Sequence, residues 1–165
     1  MKTEEATTSR GDVFWKVIGS GLGFGYAPII SGTFGTIPAV ALVWAIQGLN
    51  NTHYWYWYLL IVTGLAAIGI PAGTRLEQVY RQKDTGVIVI DEIVGYCLSM
   101  FLLPGRDWRW ILAGFLLFRI MDVVKLPPGR RLERLPAGVG VMMDDVVAGV
   151  YTNLILLVCR WYSGG

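Results

Sequence analysis

Asp91 and Glu92 stand side by side near the front of the apolar run VIVIDEIVGYCLSMFLLP, residues 87–104, and a second adjacent pair, Asp144 and Asp145, sits just inside the start of another. Between them the segment FRIMDVVK carries Arg119, Asp122 and Lys125, which step by three and share one stripe of a helix. A carboxylate at the centre of a membrane helix costs about 2.5–3.5 kcal/mol on insertion scales, less near an end, so these acids demand cations. Arg119 and Lys125 can neutralise two of them as structural ion pairs, which leaves at least three uncompensated. A divalent ion accounts for the excess better, because Mg²⁺ prefers carboxylate oxygens, keeps several waters and commonly shares its shell with a phosphate. Asp91, Glu92, Asp144 and Asp145 are the expected metal ligands. Arg119, as a planar fork, and Lys125, as a point charge, then suit the phosphate.

Whether these residues meet depends on the apolar elements around them. Of the 165 residues, 54% are hydrophobic and 16% charged, with a mean hydropathy of +0.51, more apolar than an ordinary soluble domain. Five apolar stretches, about 33–49, 54–73, 87–104, 108–124 and 139–162, approach or exceed the roughly 17–25 residues a helix needs to cross the hydrocarbon core. Asn50-Asn51-Thr52, Pro104 to Asp107 and Lys125 to Pro136 break them apart. The expected fold is all-α, a polytopic integral membrane helical bundle of about four to five transmembrane helices. No linker, repeat or low-complexity tract divides the chain, so residues 1–165 are expected to form one membrane-embedded domain. No cleavable signal pattern precedes the first apolar stretch, which is expected to direct insertion itself.

If all five stretches cross, Lys2, Arg10, Lys16, Arg75, Arg81, Lys83, Lys125, Arg130, Arg131 and Arg134 fall on one side, and only Arg106, Arg109 and Arg160 on the other. Cytoplasmic loops retain Lys and Arg, so the richer side is expected inside. The aromatic run Tyr54-Trp55-Tyr56-Trp57-Tyr58, with Trp108, Trp110, Trp161 and Tyr162, then lands at the outer ends as an interfacial belt. The acids lie about one turn inside the cytoplasmic ends.

Other readings are narrower. GSGLGFGYAPIISGTFGT lacks a preceding strand, so a dinucleotide site is rejected, although loop N–H groups near Gly32 and Thr33 can hold an anion. Cys97 and Cys159 lack a partner at CxxC spacing, which excludes a metal knuckle or redox pair. A net charge of +2 gives no argument for nucleic acid. There is no DxD pair and no cysteine-phosphatase loop, and the single histidine, His53, falls in the expected outer loop away from the acids. Metal-assisted attack of water on a phosphomonoester remains, with a carboxylate as proton acceptor. The rival is a divalent-cation transporter or channel, but transport sites usually lie near the midplane between repeats, whereas these acids crowd one face beside bases. A noncatalytic scaffold rests on the ion pairs alone.

The motifs SGTFGT, VIDEIVG, FRIMDVVK and GVGVMMDDVVAG occur in this order between about Gly19 and Leu157. In that combination the chain resembles the phosphatidylglycerophosphatase A family of bacterial membrane enzymes. The resemblance implies Mg²⁺-dependent hydrolysis of phosphatidylglycerophosphate to phosphatidylglycerol and inorganic phosphate, at the inner membrane with the site toward the cytoplasm. It implies membrane lipid as the partner and sets Asp91, Glu92, Arg119, Asp122, Lys125, Asp144 and Asp145 at the family's polar positions, the five acids being catalytic. The chain departs from the family pattern at Ser31, at Leu126 and at Ala137-Gly138, where the family has proline, proline and a glycine pair.

Overall fold

A computed structural model describes residues 10–27, 31–48 and 54–164; Lys2, His53 and the Asn50-Asn51-Thr52 break lie outside them. Among the described residues the regular structure is entirely helical. The helices are α1 Arg10–Gly19, α2 Ser31–Gln47, α3 Tyr54–Tyr80, α4 Ile90–Ser99, α5 Trp108–Val124, α6 Gly129–Leu132 and α7 Gly138–Tyr162, with a 3-10 turn at Phe24–Tyr26.

Only α3 and α7 among the described helices are long and apolar enough to cross a bilayer, so helix length does not support four to five crossings. The largest departure is α4. The apolar run 87–104 yields ten helical residues, about 15 Å, or half the hydrocarbon thickness. Its hydropathy has a different cause: Ile90, Ile93, Val94, Tyr96 and Cys97 are buried inside the protein. Composition registers apolar surroundings and does not distinguish lipid from a protein interior.

Glycines set the approach of α4 to α7. A Cβ on Gly149 would strike the Gly95 carbonyl, and one on Gly95 would come within 2.7 Å of both the Asp145 carbonyl oxygen and the Phe118 ring. Small residues permit such backbone contact between helices in an apolar medium. The register brings the first turn of α4 beside the start of α7. α7 in turn begins against the second half of α3, where the Gly138 N–H donates to Thr74 Oγ1 at 3.1 Å.

The far end of α4 is held by its neighbours. Tyr58 Oη of α3 donates to the Cys97 carbonyl, and Asn153 Nδ2 of α7 donates to the Ser99 and Phe101 carbonyls at 3.1 and 2.7 Å. These bonds satisfy acceptors that a helix terminus leaves unpaired. Tyr58 is therefore a core residue rather than part of an aromatic belt, whereas Tyr56, Trp57, Trp108, Trp161 and Tyr162 are exposed. At the opposite end α1 is seated on α3, with Asp12 paired to Arg75 at 2.7 Å and Gly19 packed on Leu76.

An acidic pocket as candidate active site

The loop after α3, the first turn of α4, the end of α5, α6 and the start of α7 meet around a cavity of about 230 Å³. Asp84, Asp91, Glu92, Asp122, Lys125, Glu133, Asp144 and Asp145 line it, with Gly86, Ile88, Val123 and Val141 as the apolar part of the wall. All five acids singled out in the sequence are brought together here.

Asp91 and Glu92 occupy the first turn of α4, where the partial positive charge of a helix N-terminus favours anions. Asp91 is buried and accepts the Glu92 N–H at 3.0 Å. Glu92 Oε1 accepts from Arg119 Nη1 at 3.1 Å, while its Oε2 is buried without a hydrogen-bond partner. The same Arg119 Nη1 lies 3.2 Å from Asp122 Oδ2. Arg119 itself is not on the cavity wall: it is wedged between these two acids and Gly32.

Lys125 leaves the expected stripe. α5 ends at Val124, and Lys125 caps it in the left-handed region, φ 50° and ψ 69°. Its ammonium reaches Asp144 Oδ2 at 2.7 Å and Glu133 Oε1 at 2.8 Å. Burial works against its charge, but the hydrogen bonds to Asp144 and Glu133 outweigh it and hold the pKa above the ordinary lysine value. Glu133 is correspondingly pulled below the usual glutamate range by Lys125, and Asp84 is pushed up, chiefly by desolvation, against the pull of Lys125. Arg119 and Lys125 thus serve Glu92, Asp122, Asp144 and Glu133, leaving Asp91 and Asp145 without an ion pair among the described residues. No group of three His, Cys, Asp or Glu side chains among those residues is disposed to cage an ion by itself.

The expectation of a loop at Gly32 and Thr33 requires correction. They lie in the first turn of α2, not in a loop. A Cβ on Gly32 would strike Glu92 Oε1 and lie 2.9 Å from the Arg119 guanidinium, and one on Gly35 would lie 2.8 Å from Glu92 Oε2. The glycines of SGTFGT make room for the Glu92–Arg119 pair. Their spacing of three on one helix face was the available signal. Asp84 and Glu133 went unread; Glu133 is the one acid in the otherwise basic break between Lys125 and Pro136.

With three of the four motifs lining one cavity and the glycines of SGTFGT packed behind Glu92, comparison with known proteins decides their family. The family model of phosphatidylglycerophosphatase A matches residues 17–160. The chain belongs to the phosphatidylglycerophosphatase A family. A phosphatidylglycerophosphatase A of Escherichia coli is 36% identical over 143 residues, covering 86% of this chain and 81% of the relative. One of Haemophilus influenzae is 40% identical over 80 residues, covering 48% of this chain and 49% of the relative. A Bacteroides thetaiotaomicron protein named as a candidate phosphatidylinositol-3-phosphatase is 39% identical over 153 residues, covering 90% and 94%. No solved structure matches the chain. Membership in the phosphatidylglycerophosphatase A family agrees with a membrane protein acting on lipid phosphate and gives the cation-transporter alternative no support.

Proposed function

We propose that the protein hydrolyses the terminal phosphomonoester of phosphatidylglycerophosphate, giving phosphatidylglycerol and inorganic phosphate in phospholipid biosynthesis, at a pocket facing the cytoplasm across the inner membrane. The observation that carries the reading is the gathering of Asp91, Glu92, Asp122, Lys125, Asp144 and Asp145, drawn from three of the family's motifs, around one cavity.

The donor set fits Mg²⁺. Every lining donor side chain except Lys125 is a carboxylate, Glu92 Oε2 is buried and unpartnered, and Asp91 and Asp145 have no ion pair among the described residues. No three of these side chains cage an ion by themselves among the described residues, and Mg²⁺ usually fills part of its shell with water and substrate phosphate. Asp91, Glu92, Asp144 and Asp145 are the residues that would hold it. When bound, Mg²⁺ would supply positive charge against the phosphoryl oxygens and the crowded acids.

The protein's own groups perform the rest. Lys125, on the cavity wall, meets the phosphate as a point charge. Arg119 keeps Glu92 and Asp122 in place from behind. Ile88, Val123 and Val141 limit bulk water at the wall. A lining carboxylate takes the proton of the attacking water, the new phosphorus–oxygen bond forms, the bond to the glycerol oxygen breaks, and the proton held by the acid passes to that oxygen, which leaves as the alcohol and restores the carboxylate.

Phosphate release by purified protein tests this on phosphatidylglycerophosphate and on phosphatidylinositol 3-phosphate, the headgroup in the Bacteroides relative's name. Release from the first should exceed release from the second, vanish in EDTA and return with Mg²⁺. No release from either lipid at saturating Mg²⁺ sinks the reading, and preference for the inositol lipid reassigns the headgroup. Orientation has its own measurement: in a protein with Cys97 and the exposed Cys159 replaced by Ser, a cysteine at Asn51 should react with an impermeant thiol reagent on intact cells, and one at Gln82 only after permeabilisation. The reverse pattern inverts the protein in the membrane.

A further inference from the structure

Lys125 carries two carboxylates, which is one more than its charge can balance. Asp144 Oδ2 and Glu133 Oε1 lie 2.7 and 2.8 Å from its ammonium, so a substrate phosphate approaching the same cation meets a local excess of negative charge. One acid has to give way, and the structure separates the two. The Asp144 side chain is 8% exposed, whereas that of Glu133 is 36% exposed and can be rehydrated when released. Asp144 sits within a 25-residue helix, while Glu133 only caps the four-residue α6.

The backbone around Glu133 is fixed even though its side chain faces water. Lys83 Nζ donates to the Glu133 carbonyl at 2.7 Å. The start of α7 closes on the same strip of chain, where a Cβ on Gly140 would lie 2.6 Å from the Glu133 carbonyl oxygen. Release of Lys125 therefore needs a side-chain rotation and no movement of α6. The charges of Lys83 and Arg134 also act on the Glu133 carboxylate, which gives it cations to turn toward.

We propose that Glu133 is a substrate-displaced counterion: it holds Lys125 toward the pocket in the resting protein and yields its place on the ammonium to the phosphate of the substrate. Glu133 is then a positioning residue that competes with substrate and product alike. The proposal rests on the phosphatase reading above and assigns Lys125 its phosphate-facing role in time as well as in space.

Glu133→Gln keeps size and hydrogen-bonding capacity but removes the competing charge. Inorganic phosphate should then inhibit at lower concentration and KM for the lipid should fall, each about two- to fivefold, the range for a half-exposed ion pair. Glu133→Asp, which keeps the charge, should move back toward the parent values. With Lys125→Gln in the background, Glu133→Gln should have no effect on either quantity. A rise in KM and in the phosphate inhibition constant on Glu133→Gln would instead make Glu133 an organiser of the phosphate site and overturn displacement. A tenfold or greater loss of kcat at unchanged KM would put it in the chemistry and overturn it as well. Equilibrium binding of inorganic phosphate to the parent and Glu133→Gln proteins reads the same competition without turnover. Tighter binding to the variant, in a protein that releases no phosphate from lipid, would preserve displacement and reject the phosphatase reading; equal binding would reject displacement alone.

Discussion

Asp91→Asn and Asp145→Asn proteins are expected to insert and to unfold at temperatures no lower than the parent, while releasing phosphate at least about a thousandfold more slowly, a loss of about 4 kcal/mol of transition-state stabilisation. Both acids are buried, and neither has an ion pair among the described residues. Asn matches Asp in shape, so the substitution removes an uncompensated buried charge without opening a cavity. Stability and activity should therefore part company, as they do where a site is kept strained for function. Thermal unfolding beside phosphate release at saturating Mg²⁺ makes the comparison. Parental turnover in both variants would end the case for a carboxylate metal site.

Arg119 should behave in the opposite sense. Arg119→Ala leaves Glu92 and Asp122 facing each other with nothing between them, and breaking a largely buried pair typically costs about 3–5 kcal/mol. The expected result is a protein that unfolds at markedly lower temperature or fails to accumulate. Arg119→Lys keeps the charge but loses the planar fork, so it should be milder on stability and lower kcat/KM less than tenfold, because the guanidinium lies behind the wall acids and not on the cavity surface. A hundredfold loss of kcat/KM at unchanged thermal stability would move Arg119 from holding acids to gripping phosphate.

The charged residues were legible in the sequence because apolar surroundings make each one conspicuous. Asp91, Glu92, Asp122, Lys125, Asp144 and Asp145 stood out on that ground and line one cavity. What composition concealed was the kind of apolar surroundings. Residues 87–104 have the hydropathy of a crossing and form a ten-residue helix buried in protein. Periodicity misled at Lys125 in a similar way, since the step of three from Asp122 ignores a left-handed cap that only three-dimensional context selects. Ala137 is a related case, at φ 55° where the family has glycine: the departure was visible in the sequence, but its backbone cost was not. Glu133 went unread because a lone acid among arginines resembles a solvated loop, and its partner Lys125 lies eight residues away across a turn.

The short α4 has a consequence for biosynthesis. A newly made chain emerges in order, and the acidic pair Asp91-Glu92 is synthesised well before the helix that completes its surroundings. The Ser99 and Phe101 carbonyls find their donor in Asn153, 54 and 52 residues further along. Gly95 likewise waits for Gly149. Until α7 arrives, α4 is too short to rest across a bilayer and has open acceptors that hydrocarbon does not satisfy. Its docking is thus deferred until α7 is made, so that a nascent chain interrupted before α7 carries five of the seven lining acids and no closed site.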